Sequence, residues 1–156
     1  MGSPGLVQSA RDFLRDNNDL AKFAAANETE FNKLLDRATS AMQRKLVSYF
    51  RPGKSGWGPS RKLLNIYLRD CCYNYRLRKT YRLGTLERWL EVPLDKEVMT
   101  FLLEQPEADT DLRRVAVSEL TPALSRRFQF VAGEVAKRLR SYRAGIDVFA
   151  WRRQTI

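Results

Sequence analysis

The sequence of 156 residues contains no histidine, and its two cysteines are neighbours. Without histidine the chain cannot build Ser-His or Cys-His pairs or histidine metal sites, which leaves carboxylates, lysine, tyrosine, cysteine and hydroxyls for catalysis. The adjacent Cys71 and Cys72 do not fit ordinary disulfide geometry and offer no spaced ligand set for zinc or an iron–sulfur cluster. We therefore expect a reducing, intracellular setting and no metal or other cofactor.

Long hydrophobic runs are also missing. No apolar stretch approaches the roughly 20 residues that span a bilayer, and the N-terminus lacks the basic-then-apolar pattern of a secretion signal. We expect no membrane partner. The composition is 44% hydrophobic and 29% charged, with 8 Phe, 6 Tyr and 3 Trp. This is sufficient for one globular domain with a sizeable core.

Positive charge is in excess, with 28 Lys and Arg against 18 Asp and Glu, and it is unevenly placed. Residues 59–83 carry seven basic and one acidic side chain, residues 84–121 carry four and nine, and residues 122–156 carry eight and two. Two basic segments around an acidic one predict a polarised surface suited to a polyanion, and nucleic acid is the partner we favour. Solvated helix faces are the alternative explanation of each basic segment.

Apolar residues recur every three or four positions, and sustained alternation is absent, which predicts an all-α fold: a compact multi-helix single domain. Long helices are expected over 27–51, 59–80 and 122–142, with a shorter helix from Asp95 to about residue 104. Asn27 with Glu30, and Thr121 with Pro122, are helix start signals. Residues 1–26 are expected to form an N-terminal arm or short helices, and residues 27–156 a single helical domain. Residues 146–151 fit either a helical turn or a short strand.

A glycine-containing loop precedes the second long helix. Gly56 and Gly58 stand just before Pro59, and glycines at this position let the backbone bring its free N–H groups to an anion. A tight turn that needs positive φ explains the same pattern without a ligand. Helical spacing in 59–80 predicts a buried stripe of Leu64, Leu68, Cys71 and Tyr75, beside a basic and aromatic stripe of Lys62, Asn65, Arg69, Tyr73 and Arg76.

The order of these features resembles the core of the helix-hairpin-helix DNA glycosylase superfamily, the endonuclease III-like fold. Gly56-x-Gly58 is followed by Lys62-x-x-Asn65 in an apolar helix, and then by Val92-Pro93-Leu94-Asp95 before another helix. The likeness covers about residues 40–105 and implies a helix-hairpin-helix-like element. It also implies that the two glycines bind a DNA phosphate, that Lys62 attacks C1′ of a flipped nucleoside, and that Asp95 activates this nucleophile or stabilises positive charge on the sugar.

Taken alone, Asp95 is most simply a helix N-cap and Lys62 a surface lysine. If the chain is an enzyme, the resemblance implies a DNA glycosylase or abasic-site lyase with these two catalytic residues. The alternatives are a non-catalytic basic helical protein that binds nucleic acid or regulates another enzyme, and a protein-binding adaptor that uses residues 84–121. The residues expected to contact DNA are Gly56, Trp57, Gly58, Ser60, Arg61, Asn65, Arg69, Tyr73, Arg76, Arg126 and Arg127.

Overall fold

The computed structural model describes residues 5–17 and 19–152. Within these ranges the chain is all-helical, as predicted, and contains no strand. No helix in this part of the chain is both long enough and apolar enough to cross a membrane. The α-helices are α1 (Leu6–Asn17), α2 (Leu20–Ala25), α3 (Glu28–Leu46), α4 (Trp57–Tyr73), α5 (Tyr75–Tyr81), α6 (Lys96–Leu103), α7 (Pro122–Arg138) and α8 (Ile146–Arg152). Short 3-10 helices cover Val47–Tyr49, Leu83–Arg88, Val117–Glu119 and Arg143–Gly145.

Side-chain caps fix the starts of three helices where the sequence predicts them. The Asn27 side chain accepts a hydrogen bond from the Glu30 N–H (2.9 Å), and the Glu30 carboxylate accepts one from the Asn27 N–H (3.2 Å). The Thr121 hydroxyl accepts from the N–H of Leu124 at the start of α7. Asp95 caps α6 in the same way. These bonds satisfy N–H groups that have no partner inside the helix.

The prediction of one long helix over 59–80 is wrong, because the helix is interrupted at residue 74, between α4 and α5. Asn74 has extended backbone angles (φ −75°, ψ 116°), and its side chain caps α5 by accepting from the N–H of Leu77 (3.1 Å). The break turns Tyr75 outward, so this residue is 76% exposed and not part of the buried stripe. The last long helix is also shorter than predicted, because α7 ends at Arg138 and Arg140 adopts a positive φ of 52°.

In the described part of the chain the core consists of two hydrophobic clusters. The first cluster contains residues of the helices α1, α2, α3 and α4 and of the 3-10 helix Leu83–Arg88. It includes Phe13 and Phe23 from the two N-terminal helices. The second joins residues 92–94 with α6, α7 and α8 around Phe128. Residues 146–151, which the sequence left undecided, are helical and contribute Ile146 to the second cluster.

Polar side chains lie at the boundary of the two clusters. Leu90 belongs to the first cluster and Val92 to the second, so Glu91 stands between them. Charged residues are rarely buried unless they are paired. The residues at this boundary, which we call the polar seam, are Arg61, Asn65, Glu91, Gln129 and Arg143.

Candidate functional site

Lys62 and Asp95 lie side by side. Lys62 is in the second turn of α4. Asp95 follows the buried segment 92–94 and immediately precedes α6. The Lys62 Nζ is 3.8 Å from Asp95 Oδ2, while Asp95 Oδ1 accepts from the N–H of Val98 at 2.9 Å. The two side chains are 31% and 18% exposed. One carboxylate therefore serves both as helix cap and as partner of a lysine that solvent can reach.

A second ion pair lies along the same side of α4. Arg69 stands seven residues after Lys62, which is about two helical turns, and it pairs with Asp147 at the start of α8 and with Asp70 (3.0 Å). Burial raises the pKa of Asp147; the Arg69 charge opposes this shift, and the charges of Asp95 and Asp70 add to it. This side of α4 therefore carries two cations, Lys62 and Arg69. Their carboxylate partners are close enough for one charge to shift the pKa of another.

The predicted DNA contacts Arg61 and Asn65 are buried in the polar seam. Arg61 donates two hydrogen bonds to the Glu91 carboxylate, from Nε at 2.8 Å and from Nη2 at 2.9 Å, and Asn65 donates a third at 2.9 Å. The other nitrogen of Arg61 bonds Asp36 (2.8 Å) and the hydroxyl of Thr39 (3.0 Å). Burial alone would raise the pKa of Glu91, but the bonds and charge of Arg61, with the Asn65 bond and the Arg143 charge, together hold that pKa below its usual value.

Two further side chains fix the segment that carries Glu91. The Gln129 amide accepts from the N–H of Val92 (3.0 Å) and donates to its carbonyl (2.8 Å), much as a neighbouring strand would. Arg143 donates to the carbonyls of Trp89 (2.8 Å) and Leu90 (3.0 Å). These side chains supply hydrogen-bond partners to backbone groups of residues 89–92, which belong to no α-helix or strand. The bonds thereby hold the backbone that leads to Asp95.

Gly56 and Gly58 are buried by close packing. Gly56 has a φ of 68°, and a Cβ placed there would lie 2.3 Å from the ring of Phe50. A Cβ on Gly58 would lie 2.0 Å from the carbonyl oxygen of Val117. A positive φ therefore explains Gly56, and the close approach of the Val117 carbonyl explains Gly58, where the first turn of α4 faces the 3-10 helix Val117–Glu119. Ser60, another predicted contact, is fully buried, and its hydroxyl has no hydrogen-bond partner in the described residues.

The remaining predicted contacts are only partly brought together: Trp57 and Arg126 line one cleft, whereas Tyr73 and Arg76 are not among its lining residues. Tyr73 and Arg76 are exposed near the junction of α4 and α5, whereas Arg126 is exposed on α7. Arg127 on the same helix pairs with Asp109 (3.1 Å) and Asp111 (2.6 Å) of the loop between α6 and α7. Part of the basic charge of α7 is therefore matched by acidic residues of the chain itself.

A cleft of about 380 Å³ opens between α3, α4 and α7. Trp57 lies in its wall, with the guanidinium of Arg61 5.5 Å from the centroid of its ring. Glu91, Arg126 and Phe130 also line the cleft. Lys62 and Asp95 are not among the lining residues, so the cleft and the lysine–aspartate pair are separate features.

Sequence reasoning missed the partners that organise the site: Glu91, Gln129, Arg143 and Asp147. One signal was present for Glu91, which is a single charge inside the apolar run Leu90 to Leu94. A charge in such a run predicts a buried partner of opposite sign. Helical periodicity gives no comparable signal for Asp147, because its partner Arg69 is 78 residues away in the chain.

No protein-family model, no curated protein and no solved structure matches the chain.

Proposed function

We propose that the chain is an intracellular DNA-binding protein that cleaves the N-glycosidic bond of a modified or damaged base, with Lys62 and Asp95 at the reacting centre. The observation that carries the proposal is the 3.8 Å separation of the Lys62 amine and the Asp95 carboxylate, both partly open to solvent. A nucleophilic amine beside a carboxylate is what the resemblance in sequence implies for this reaction. The free thiols of Cys71 and Cys72 support the intracellular setting.

The chemistry needs no further group from the protein. Lys62 gives one proton to Asp95 and forms a bond from Nζ to C1′ of the extruded nucleoside, while the bond from C1′ to the base breaks. The electron pair leaves with the base, which takes the proton from Asp95. A proton then passes from Nζ to O4′ as the sugar ring opens, which leaves an iminium between Lys62 and C1′ that water hydrolyses.

Borohydride trapping tests this scheme, because hydride reduces the iminium to a stable covalent adduct. We expect the wild-type protein to form the adduct with DNA that contains an abasic site or a modified base. Lys62→Ala should abolish it, and Asp95→Asn should strongly slow it while keeping the cap of α6, because asparagine caps a helix as well as aspartate does.

The matched control is Lys96→Ala, which removes the exposed lysine next to Asp95 in sequence. This variant should trap like the wild type. Equal trapping by wild type and Lys62→Ala, or no adduct from any of these proteins on any of the DNA substrates, would reject Lys62 as the nucleophile.

A non-catalytic nucleic-acid-binding protein is the second candidate, and one observation favours it. Five exposed cations on or beside α5 and α7 have no ion pair within the described residues: Arg76, Lys79, Arg82, Arg126 and Arg140. Such cations bind phosphates and make affinity fall steeply with salt. This candidate predicts salt-sensitive DNA binding that Asp95→Asn does not change, with no base release and no trapped adduct.

A further inference from the structure

Two tyrosine rings project from the junction of α4 and α5. Tyr73 is the last residue of α4 and Tyr75 the first residue of α5, and they are 49% and 76% exposed. A ring as exposed as that of Tyr75 contributes little to the core. Tyr49 and Tyr67 differ, since the Tyr49 hydroxyl bonds Ser9 (2.6 Å) and Tyr67 packs against the first hydrophobic cluster.

Cations surround these rings. Lys79 and Arg82 follow Tyr75 by four and seven residues, a spacing that places them on one side of α5 and its C-cap, and Arg76 lies next to Tyr75 in sequence. All three cations are exposed and lack an ion pair within the described residues. Arg78 differs, because it is directed inward to Glu87 (3.1 Å). We name the exposed set Tyr73, Tyr75, Arg76, Lys79 and Arg82 the tyrosine surface.

The tyrosine surface continues from the lysine–aspartate pair. Lys62, Arg69 and Tyr73 are spaced by seven and four residues and lie along one side of α4. At 1.5 Å per residue, Tyr73 is roughly 16 Å from Lys62 along the helix axis. A bound strand can therefore contact both places at once.

We infer that the tyrosine surface binds unpaired, single-stranded nucleic acid by stacking bases on Tyr73 and Tyr75 while the adjacent cations hold the phosphates. Bases offer their faces to a ring only where they are not stacked inside a duplex, whereas cations contact either form. The combination of exposed rings with unpaired cations therefore selects the single strand. This inference rests on the nucleic-acid binding proposed above and adds the form of strand that the surface takes.

Fluorescence anisotropy with a labelled oligothymidylate of about 15 nucleotides, and with a duplex of equal length, tests the inference. Tyr75→Ala should weaken single-strand binding by at least about fivefold, the loss of one stacked base, and leave duplex binding unchanged. Tyr75→Phe keeps the ring and should bind like the wild type. Arg76→Ala should lower the salt slope of single-strand binding by about 0.7, whereas Tyr75→Ala should not change that slope.

The control for charge is Arg11→Ala, which removes an exposed arginine of α1 and should leave the slope as it is. The inference is overturned if Tyr75→Ala binds the single strand like the wild type, if it weakens duplex binding equally, or if sedimentation shows the tyrosines buried in a dimer that Tyr75→Ala dissociates. If both probes bind and Tyr75→Ala weakens neither, this inference alone is rejected and the proposed nucleic-acid binding stands. If neither the oligothymidylate nor the duplex binds, the proposed function is rejected as well.

Discussion

Glu91→Gln tests whether the polar seam holds the fold together. The change keeps the shape of the side chain but removes its charge, and it replaces one acceptor oxygen by an NH₂ group that faces a donor. Three hydrogen bonds of 2.8–2.9 Å from Arg61 and Asn65 are affected. Removing one partner of a buried ion pair typically costs about 3–5 kcal/mol. Arg61 keeps its bonds to Asp36 and Thr39, so we expect a loss near the lower limit, about 3 kcal/mol.

The assay is urea unfolding followed by tryptophan fluorescence, because Trp57 lies against Arg61. A loss of about 3 kcal/mol is a large part of the 5–15 kcal/mol that stabilises a typical domain, and it corresponds to a melting temperature lower by roughly 6–12 °C. The control is Asp36→Asn, which removes the other carboxylate on Arg61. Asp36 is 68% exposed, so its pair should contribute less than about 1 kcal/mol. If both variants lose a similar amount of unfolding free energy, the burial of Glu91 does not make its pair with Arg61 stronger than the exposed pair with Asp36.

The pH dependence of stability gives a second readout of the same pair. The pKa of Glu91 is lower in the folded protein than its usual value of 4.5, because the hydrogen bonds from Arg61 and Asn65 and the charges of Arg61 and Arg143 together outweigh burial. A lowered pKa means that this stabilisation is complete above pH 4.5 and is lost as the pH falls through the folded value. The difference in unfolding free energy between wild type and Glu91→Gln should therefore shrink below pH 4.5. A difference that stays constant down to pH 2 would contradict the shift.

Two further predictions concern single positions. Gly58→Ala should destabilise the protein by about 1–3 kcal/mol in urea unfolding, because the added methyl group meets the Val117 carbonyl at 2.0 Å. Gly133→Ala in α7 is the matched control: a Cβ there meets nothing within 4 Å, so it should stabilise by up to about 1 kcal/mol. A destabilising Gly133→Ala, or a neutral Gly58→Ala, would contradict the packing. Asp95→Ala should cost about 1 kcal/mol through loss of the cap on α6, and Asp95→Asn almost nothing, with circular dichroism melting as the measurement. Equal melting temperatures for both Asp95 variants would show that the cap contributes no stability.

Local signals predicted the helical elements well, because caps and apolar spacing act within a few residues. Asn27 with Glu30, Asp95 and Thr121 all start helices as expected. The break at Asn74 was missed because continuous helical periodicity runs through it, and asparagine signals a cap only when the chain actually turns there. The outward position of Tyr75 follows from that break, so the error in one boundary also changed which face was predicted to be buried.

The candidate site was predictable only in part. Lys62 and Asp95 were named from a pattern in sequence, and the structure brings them together. Asn65 belongs to the same pattern and Arg61 was predicted to contact DNA, but both lie inside, because their partner Glu91 is supplied by a segment 26 to 30 residues away. Spacing within one helix cannot distinguish a buried arginine from an exposed one when the partner comes from elsewhere in the chain. The pairing of Arg127 with Asp109 and Asp111 was not predictable for the same reason.

The residues that sequence reasoning missed explain why the residues it named meet. Arg61 and Lys62 are consecutive in α4, and Glu91 and Asp95 are four residues apart in a segment whose backbone is held by Gln129. The Arg61–Glu91 pair fixes how the segment 91–95 is aligned along α4, and this alignment places Asp95 beside Lys62. A loss of the Arg61–Glu91 pair should therefore disturb the lysine–aspartate pair even in protein that remains folded. We expect Glu91→Gln to reduce borohydride trapping under conditions where circular dichroism shows intact helix, whereas Asp36→Asn should not. Unchanged trapping in folded Glu91→Gln would mean that α6 and its cap position Asp95 without the seam.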